Sequence, residues 1–557
     1  MKRIYLMGKI VLVAFFVAGL GQACTNLDEQ LYDTVSGDNF PKTQEDFVSA
    51  LGTAYSSMSG YASGAYSDIQ EVTTDEVAVP TRGQDWDDGG AWRRLHLHSW
   101  NREQSAVNDS WNFLFTGVNN CNRNIALFES LIQSGSVDET VATSYINELK
   151  VLRCFFYVDL VDAFGNVPYI TTFFDAPSAP PTVPRAQIFD NLVQELNSDV
   201  PTLTKDVDAT TYGRVNYWVG KMIQAKLYLN AEIYSGEAHW DDCIAACDEI
   251  INSGKFELTT NYFDNFAAAN TGTSEMIFAI PYDQVYLQGF NLDMQTLHYG
   301  NQDTYRLTDQ PWNGYCTLQE FYDSYSDNDL RKGDPGTLEG PAKRRGNFIA
   351  GYQYKADGTM VTDGGWEQPD PSKPEKRVDP DGAPLNFLPS LATIGPSALR
   401  EEGARIGKWE FAQGATSNMS NDFAVYRYAD VLLMKAEALA RKNNSPTDAT
   451  ALALVNQVRE RAGVDDLTTL NGPISFDKDA GSVFLGELFN ERGREMFYEK
   501  FRRSDLIRFG LFTHVDKWAL PTQVTGDFMV TDEYTNLYPI PRAQTDANPN
   551  LQQNNGY

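Results

Sequence analysis

The 557-residue sequence is short of the groups on which much site chemistry depends. It holds only five histidines and six cysteines and has no CxxC pair, so neither a zinc site nor a disulfide framework is written in it. HExxH, GxSxG, GxxxxGK[ST] and GxGxxG are all missing, which removes the sequence signatures of zincins, serine hydrolases, P-loop and dinucleotide-binding proteins. Positive charge is scarce too: 45 lysines and arginines face 75 acidic residues, a formal net charge of −30. A surface of that sign repels phosphate backbones, and nucleic acid is excluded as a partner. Apart from the N-terminus, no run is apolar and long enough to span a bilayer.

The N-terminus is a processing signal. Lys2, Arg3 and Lys9 precede an uncharged apolar run from Ile10 to Leu20, shorter than the about 20 residues of a stable spanning helix but suited to a signal-peptide core. Gly21, Gln22, Ala23 and Cys24 follow, and a cysteine after a small residue at this point reads as a lipoprotein processing site. Residues 1–23 are then the signal peptide, and Cys24 becomes the acylated first residue. The usual lipobox places a leucine three positions before the cysteine, whereas Leu20 stands four before it, so cleavage by ordinary signal peptidase is the alternative. Removing residues 1–23 takes away three positive charges and leaves −33. That charge suits a body tethered by lipid, not one adsorbed to anionic headgroups.

The remaining cysteines, Cys121, Cys154, Cys243, Cys247 and Cys316, are odd in number. Cys243 and Cys247, one helical turn apart, read as small core residues. His96 and His98 would point to one side of a strand, but with no third ligand nearby a structural role is favoured. Asp327, Asn328 and Asp329 begin like a calcium loop, and Leu330, Arg331 and Lys332 break the spacing. No metal or cofactor is expected.

Helical periodicity is what the chain does have. Three segment pairs carry small and aromatic residues in the manner of tetratricopeptide hairpins: Tyr145–Phe164 with Arg185–Leu196, Tyr217–Tyr234 with Trp240–Ile251, and Tyr426–Arg441 with Thr447–Ala462. Length alone would allow two to four domains, but these degenerate repeats predict one mostly α-helical body over residues 24–557, with few short strands. Between Leu485 and Gly510, Glu491, Arg492, Arg494, Glu495, Glu499, Arg502, Arg503, Asp505 and Arg508 crowd among apolar residues. A solvated helix laced with i,i+4 pairs would explain any one of them. So many alternating charges together predict partly buried arginine–carboxylate locks, with Glu491, Arg492, Glu495, Arg502 and Asp505 tying the last helix to the body.

Tyr426–Arg441, Ala451–Gly463, Leu485–Gly510 and the tail YPIPRAQTDANPNLQQNNGY, in this order, resemble the C-terminal region of the SusD/RagB family. Phe40–Tyr55, Trp111–Ile125, Glu148–Ile170, Val183–Leu196 and Gly213–Tyr234 extend the resemblance to most of the chain outside residues 271–421. The resemblance implies a SusD-like fold, a tetratricopeptide-like scaffold with long irregular loops. It also implies a lipid-anchored protein on the outer face of the outer membrane that binds an oligosaccharide and delivers it to a SusC-like TonB-dependent transporter. Asp28 and Glu29 look like the acidic stretch the family places after the lipidated cysteine.

Two regions differ in composition from the scaffold. Residues 73–100 place Trp86, Trp92 and Trp100 among four aspartates and the turn residues Pro80, Gly83, Gly89 and Gly90; residues 271–421 are rich in Gly, Pro, Asp and aromatics. A pyranose offers an apolar CH face for an aromatic ring and a rim of hydroxyls for charged or amide side chains. Arg82, Asp85, Trp86, Asp87, Trp92 and Arg93 lie within one loop's reach and are the first ligand-binding candidates. Tyr286, Trp312, Tyr315 and Trp366 are candidates for a facing wall. Each could instead plug the core under a loop or cap a turn. The resemblance places the family's glycan site on the face of this loop, with an aromatic arc, an arginine and polar partners. A binding protein without enzyme activity is the leading reading. A surface glycoside hydrolase is an alternative, since 75 acidic residues offer carboxylate pairs by chance, and a tetratricopeptide-type protein-binding adaptor is another.

Overall fold

Capped ends and small-residue contacts define the helices. The structure, a computed structural model, describes residues 44–364 and 382–557, so the expected signal peptide (residues 1–23), Cys24 and Trp366 lie outside the described residues. Residues 50–557 form one compact unit; of the other, Met1–Ser49, only the start of the helix Gln44–Tyr55 is described.

Helices α1 (Ser105–Gln133) and α2 (Glu139–Phe164) form a hairpin across the turn 134–138. Asp138 starts α2 by accepting the Val141 N–H at 3.0 Å, which satisfies one of the orphan amides of the first turn. Gly117 of α1 leaves no room for a side chain, because a Cβ there would run into the Phe156 ring of α2. Helix α3 (Arg185–Asp199) packs on α2. Asn216 caps α4 (Tyr217–Leu229) through the amides of Trp218 and Val219. Helix α5 (Trp240–Asn252) packs on α4 and also on α6 (Tyr428–Lys442), which in turn packs on α7 (Ala449–Arg461). The three helix pairs expected from the repeats are therefore present. Cys121, Cys154, Cys243, Cys247 and Cys316 are buried free thiols.

Strands are few and short. Val77–Ala78 (β1), Met276–Ile280 (β2), Cys316–Thr317 (β3) and Phe423–Arg427 (β4) form two antiparallel pairs, β1 with β3 and β2 with β4. The second pair sets Ile280 opposite Phe423 and is buried throughout. Among the described residues no helix or strand within 271–421 exceeds five residues.

Two sequence expectations are corrected, the strand at His96 and His98 and the single last helix. His96 ends the short helix Ala91–His96 and His98 follows with φ +56, so no strand aligns the two rings. Both are buried, His98 against Phe512 at 4.2 Å, and burial pulls them down to about 4 and about 3, leaving neutral core imidazoles. Asp329 is taken up by Arg331, at 3.0 Å from its Nε and 2.8 Å from its Nη2. The last charged helix is two helices, α8 (Gly486–Met496) and α9 (Arg502–Arg508), separated by a break in which Tyr498 and Lys500 have positive φ. Carboxylates take the amides freed by that break: the Tyr498 N–H donates to Glu76 at 3.2 Å and the Lys500 N–H to Glu71 at 2.7 Å.

The charges of α8 and α9 are buried and paired. Glu491 accepts from Arg331 and Arg459, both at 2.7 Å, and Glu495 from Arg427 at 2.5 Å and Arg331 at 3.0 Å. Arg492 bridges Asp505 at 2.8 Å and Asp430 at 3.0 Å. Burial pushes the Glu491 carboxyl up, but Arg331, Arg494 and Arg459 outweigh it and bring it down to about 2.

Candidate ligand site

The loop that follows β1 is held from below by two arginines. Arg82 is 1% exposed and uses all five N–H donors: on the carbonyls of Leu399 (3.1 Å), Asn313 (2.7 Å), Gly314 (2.8 Å) and Glu402 (2.8 Å), and on Cys316 Sγ (3.6 Å). It staples the loop to segments 313–316 and 399–402, and no donor is left for a ligand. Arg93 is also buried; it donates to Asp527 and Thr81 and pairs with Asp87, each at 2.8 Å. Sequence composition nominated both arginines because it shows charge and not burial. Their observed place is structural.

Above these struts four of the nominated aromatics meet. Trp86 lies 5.4 Å from Trp92, 6.4 Å from Trp312 and 5.7 Å from Tyr315, and Trp92 lies 5.7 Å from Tyr315, mostly edge to face. Trp86 has φ +60, a left-handed backbone that costs about 1–3 kcal/mol in a residue with a side chain and persists only where surroundings fix it. Three contacts fix it. Its indole N–H donates to the Trp312 carbonyl at 2.7 Å, and its ring lies over Gly314, where an added Cβ would meet it at 2.5 Å. Asp85, just before it, accepts from the Tyr299 hydroxyl.

Exposure divides the cluster. Trp86 and Trp92 are half-buried, Trp312 is 42% exposed, and Tyr315 is buried at the base with its hydroxyl on Asp68. Burial raises Asp68 to about 7, against the Tyr315 and Lys500 interactions that favour its charge. Trp86, Trp92 and Trp312 thus present apolar surface to solvent, whereas Tyr315 supports them. The polar rim comes from Asp88, which accepts from Trp92 Nε1 at 2.6 Å, and from Asp85, which lies 3.9 Å from Arg400. The Arg400 guanidinium sits 5.2 Å from the Tyr299 ring centre.

Tyr286 is elsewhere. It is 92% exposed at a turn closed by Asp283, which accepts the amides of Val285 (2.7 Å) and Tyr286 (2.9 Å), and it makes no ring contact with the cluster among the described residues. Tyr299, Arg400, Asp88 and Gly314 were not nominated from sequence. The Asp88–Trp92 spacing of four was a readable signal, but Tyr299 and Arg400 come from distant segments that only folding brings near. Among the described residues no group of three His, Cys, Asp or Glu could hold a metal ion, and no helix is long and apolar enough to cross a membrane.

Comparison with known proteins places the chain in a family. The SusD family model matches residues 274–557. The starch-binding protein SusD of Bacteroides thetaiotaomicron is 25% identical over 444 residues, 74% of this chain and 72% of that protein. A SusD superfamily protein from Parabacteroides distasonis has the same fold, with a TM-score of 0.67 at 20% identity over 94% of this chain and all of that one. Surface glycan-binding protein A from Bacteroides thetaiotaomicron, solved in complex with laminarihexaose, also has a TM-score of 0.67, at 21% identity over 92% of this chain and 99% of that one. The chain belongs to the SusD family.

Proposed function

We propose that this protein captures an oligosaccharide at the cell surface on Trp86, Trp92 and Trp312 and hands it to a SusC-like TonB-dependent outer-membrane transporter, with Cys24 as its lipid anchor. The observation that carries this reading is the meeting of three part-exposed indoles beside Asp85, Asp88, Tyr299 and Arg400. Indole faces cover the CH side of a pyranose, and the fixed donors and acceptors around them suit its hydroxyls. The starch-binding relative and the laminarihexaose complex support a glycan as the ligand class. A carrier that must release its cargo is expected to bind at about micromolar to millimolar dissociation constants.

The hydrolase reading is weaker at this site. Two carboxylates of its rim are engaged, Asp85 by Tyr299 and Asp88 by Trp92. Calorimetry with laminarihexaose and a linear malto-oligosaccharide, followed by chromatography of the ligand, tests the proposal. Heat without cleavage, lost on Trp86→Ala, supports it. Released reducing ends would favour the hydrolase, and silence toward a broad glycan panel would favour the protein-binding adaptor.

A further inference from the structure

A separate cavity of about 630 Å³ opens between segments 304–305, 334–354 and 407–413. It falls within the size range of small-molecule sites. Three half-exposed rings, Tyr305, Tyr352 and Tyr354, line it with Gln353, Gln413 and the consecutive arginines Arg344 and Arg345. None of these residues belongs to the tryptophan cluster.

The two arginines differ in what answers them. Arg344 pairs with Asp334 at 3.1 Å. Arg345 has no carboxylate within 4.0 Å among the described residues, unlike Arg331, Arg427, Arg492 and Arg508 in the α8–α9 network. Its Nη2 donates to the carbonyls of Phe266 (3.0 Å) and Lys408, and its guanidinium lies 4.9 Å from the Phe263 ring centre. Nε and Nη1 make no hydrogen bond among the described residues. Glu410, the other lining acid, accepts the Ala268 amide at 2.8 Å. Burial lowers Arg345 to about 10, only partly offset by Glu410, Tyr305 and Tyr262, so it is a cation at neutral pH in a poorly solvated place.

We infer that this cavity is a second sugar site, selective for a pyranose that carries a carboxylate: a uronic acid whose carboxylate accepts from the unspent Nη1 of Arg345 while its ring lies among Tyr305, Tyr352 and Tyr354. A guanidinium that no carboxylate answers, with Nη1 unspent, matches a carboxylate in charge and as a single charge-assisted donor, while Nη2, which both bidentate forks need, is spent on the two carbonyls. The tyrosine rings and the Gln413 Oε1, which accepts no hydrogen bond among the described residues, offer a saccharide its apolar and polar contacts, while the Gln353 amide is held by Gly351 and Asn301. The inference does not depend on the tryptophan site.

Calorimetry on the full protein tests it, with trigalacturonic acid, a glucuronic acid disaccharide, the methyl ester of each and neutral maltotriose as probes. At least one acid should bind and its ester should not. Arg345→Gln should weaken the acid by about tenfold or more, and Trp86→Ala should leave it within about twofold. Because Arg345 also holds two carbonyls, Tyr352→Ala serves as the second variant; its hydroxyl has no hydrogen bond among the described residues, and it should weaken the acid with an unchanged melting temperature. No heat from either acid, an ester that binds like the acid, affinity that survives both cavity variants, or loss on Trp86→Ala would each overturn the inference.

Discussion

Arg502 grips Asp75 with both arms: its Nε and Nη2 each donate to one carboxylate oxygen, at 2.7 Å, across 427 residues of sequence. Asp75 lies two residues before β1, and the tryptophan loop follows β1, so the pair ties the C-terminal helix α9 to the base of the candidate site. Both side chains are 2% exposed. A pair so desolvated contributes little over an apolar substitute, but losing one partner strands the other.

Arg502→Ala is therefore expected to cost about 3–5 kcal/mol, because Asp75 would stay buried without its cation. Thermal unfolding measures it. A melting temperature within about a degree of the wild type would show that the pair is solvated after all.

Trp312→Ala removes the most exposed indole of the cluster while leaving its backbone carbonyl for Trp86. Glycan affinity should fall by about 1–2 kcal/mol with little change in melting temperature. Trp86→Ala should cost about 2–4 kcal/mol of binding and some stability as well, since that ring also covers Gly314. Measuring both quantities on the same preparations separates a stacking platform from a core plug.

Gly314→Ala tests the positioning of Trp86 without touching the ring. The new methyl would meet Trp86 at 2.5 Å and the Gln295 carbonyl at 3.0 Å, so the indole must shift, at about 1–3 kcal/mol of overpacking. Reduced glycan affinity with an altered tryptophan emission spectrum is expected. Wild-type affinity would show that ligand does not read the Trp86 position.

Acid should unfold the protein through the buried carboxylates. Burial raises Glu491 and Glu437, but their arginines prevail and hold each at about 2, below the ordinary 4.5. Groups depressed in this way stabilise the fold above pH 4.5, and that stabilisation is lost as pH falls toward 2. Asp68, raised to about 7, acts in the opposite sense, adding stability as pH falls from 7 to 3.8, and is protonated in both states below that. Melting temperatures should hence drop steeply only below pH 4.5. Flat stability down to pH 2 would contradict the network.

Cys24→Ala tests the anchor. Acylation needs that thiol, and several acyl chains hold a protein far more firmly than one. The variant should move from the membrane to the soluble fraction, whereas membrane association that survives a high-salt wash would refute the assignment.

The sequence by itself determined the helical scaffold. Period is a local property, so the hairpins at Tyr217–Ile251 and Tyr426–Ala462 could be read directly. The buried fate of the C-terminal charges was legible too, because too many opposite charges shared too few apolar neighbours. The aromatics of the candidate site were visible as types: Trp86, Trp92, Trp312 and Tyr315 were all singled out, and all four meet. Tertiary structure alone decided their division of labour. Arg82 and Arg93 look like ligand residues in composition, yet each finds its acceptors in segments remote in sequence, among them Leu399 and Asp527, and becomes a strut. Tyr299 and Arg400 reach Asp85 from across the chain. The break between α8 and α9 exists because Glu71 and Glu76, more than 400 residues away, satisfy its amides. Burial and hydrogen-bond satisfaction depend on which distant segments close around a residue, and no local pattern encodes that.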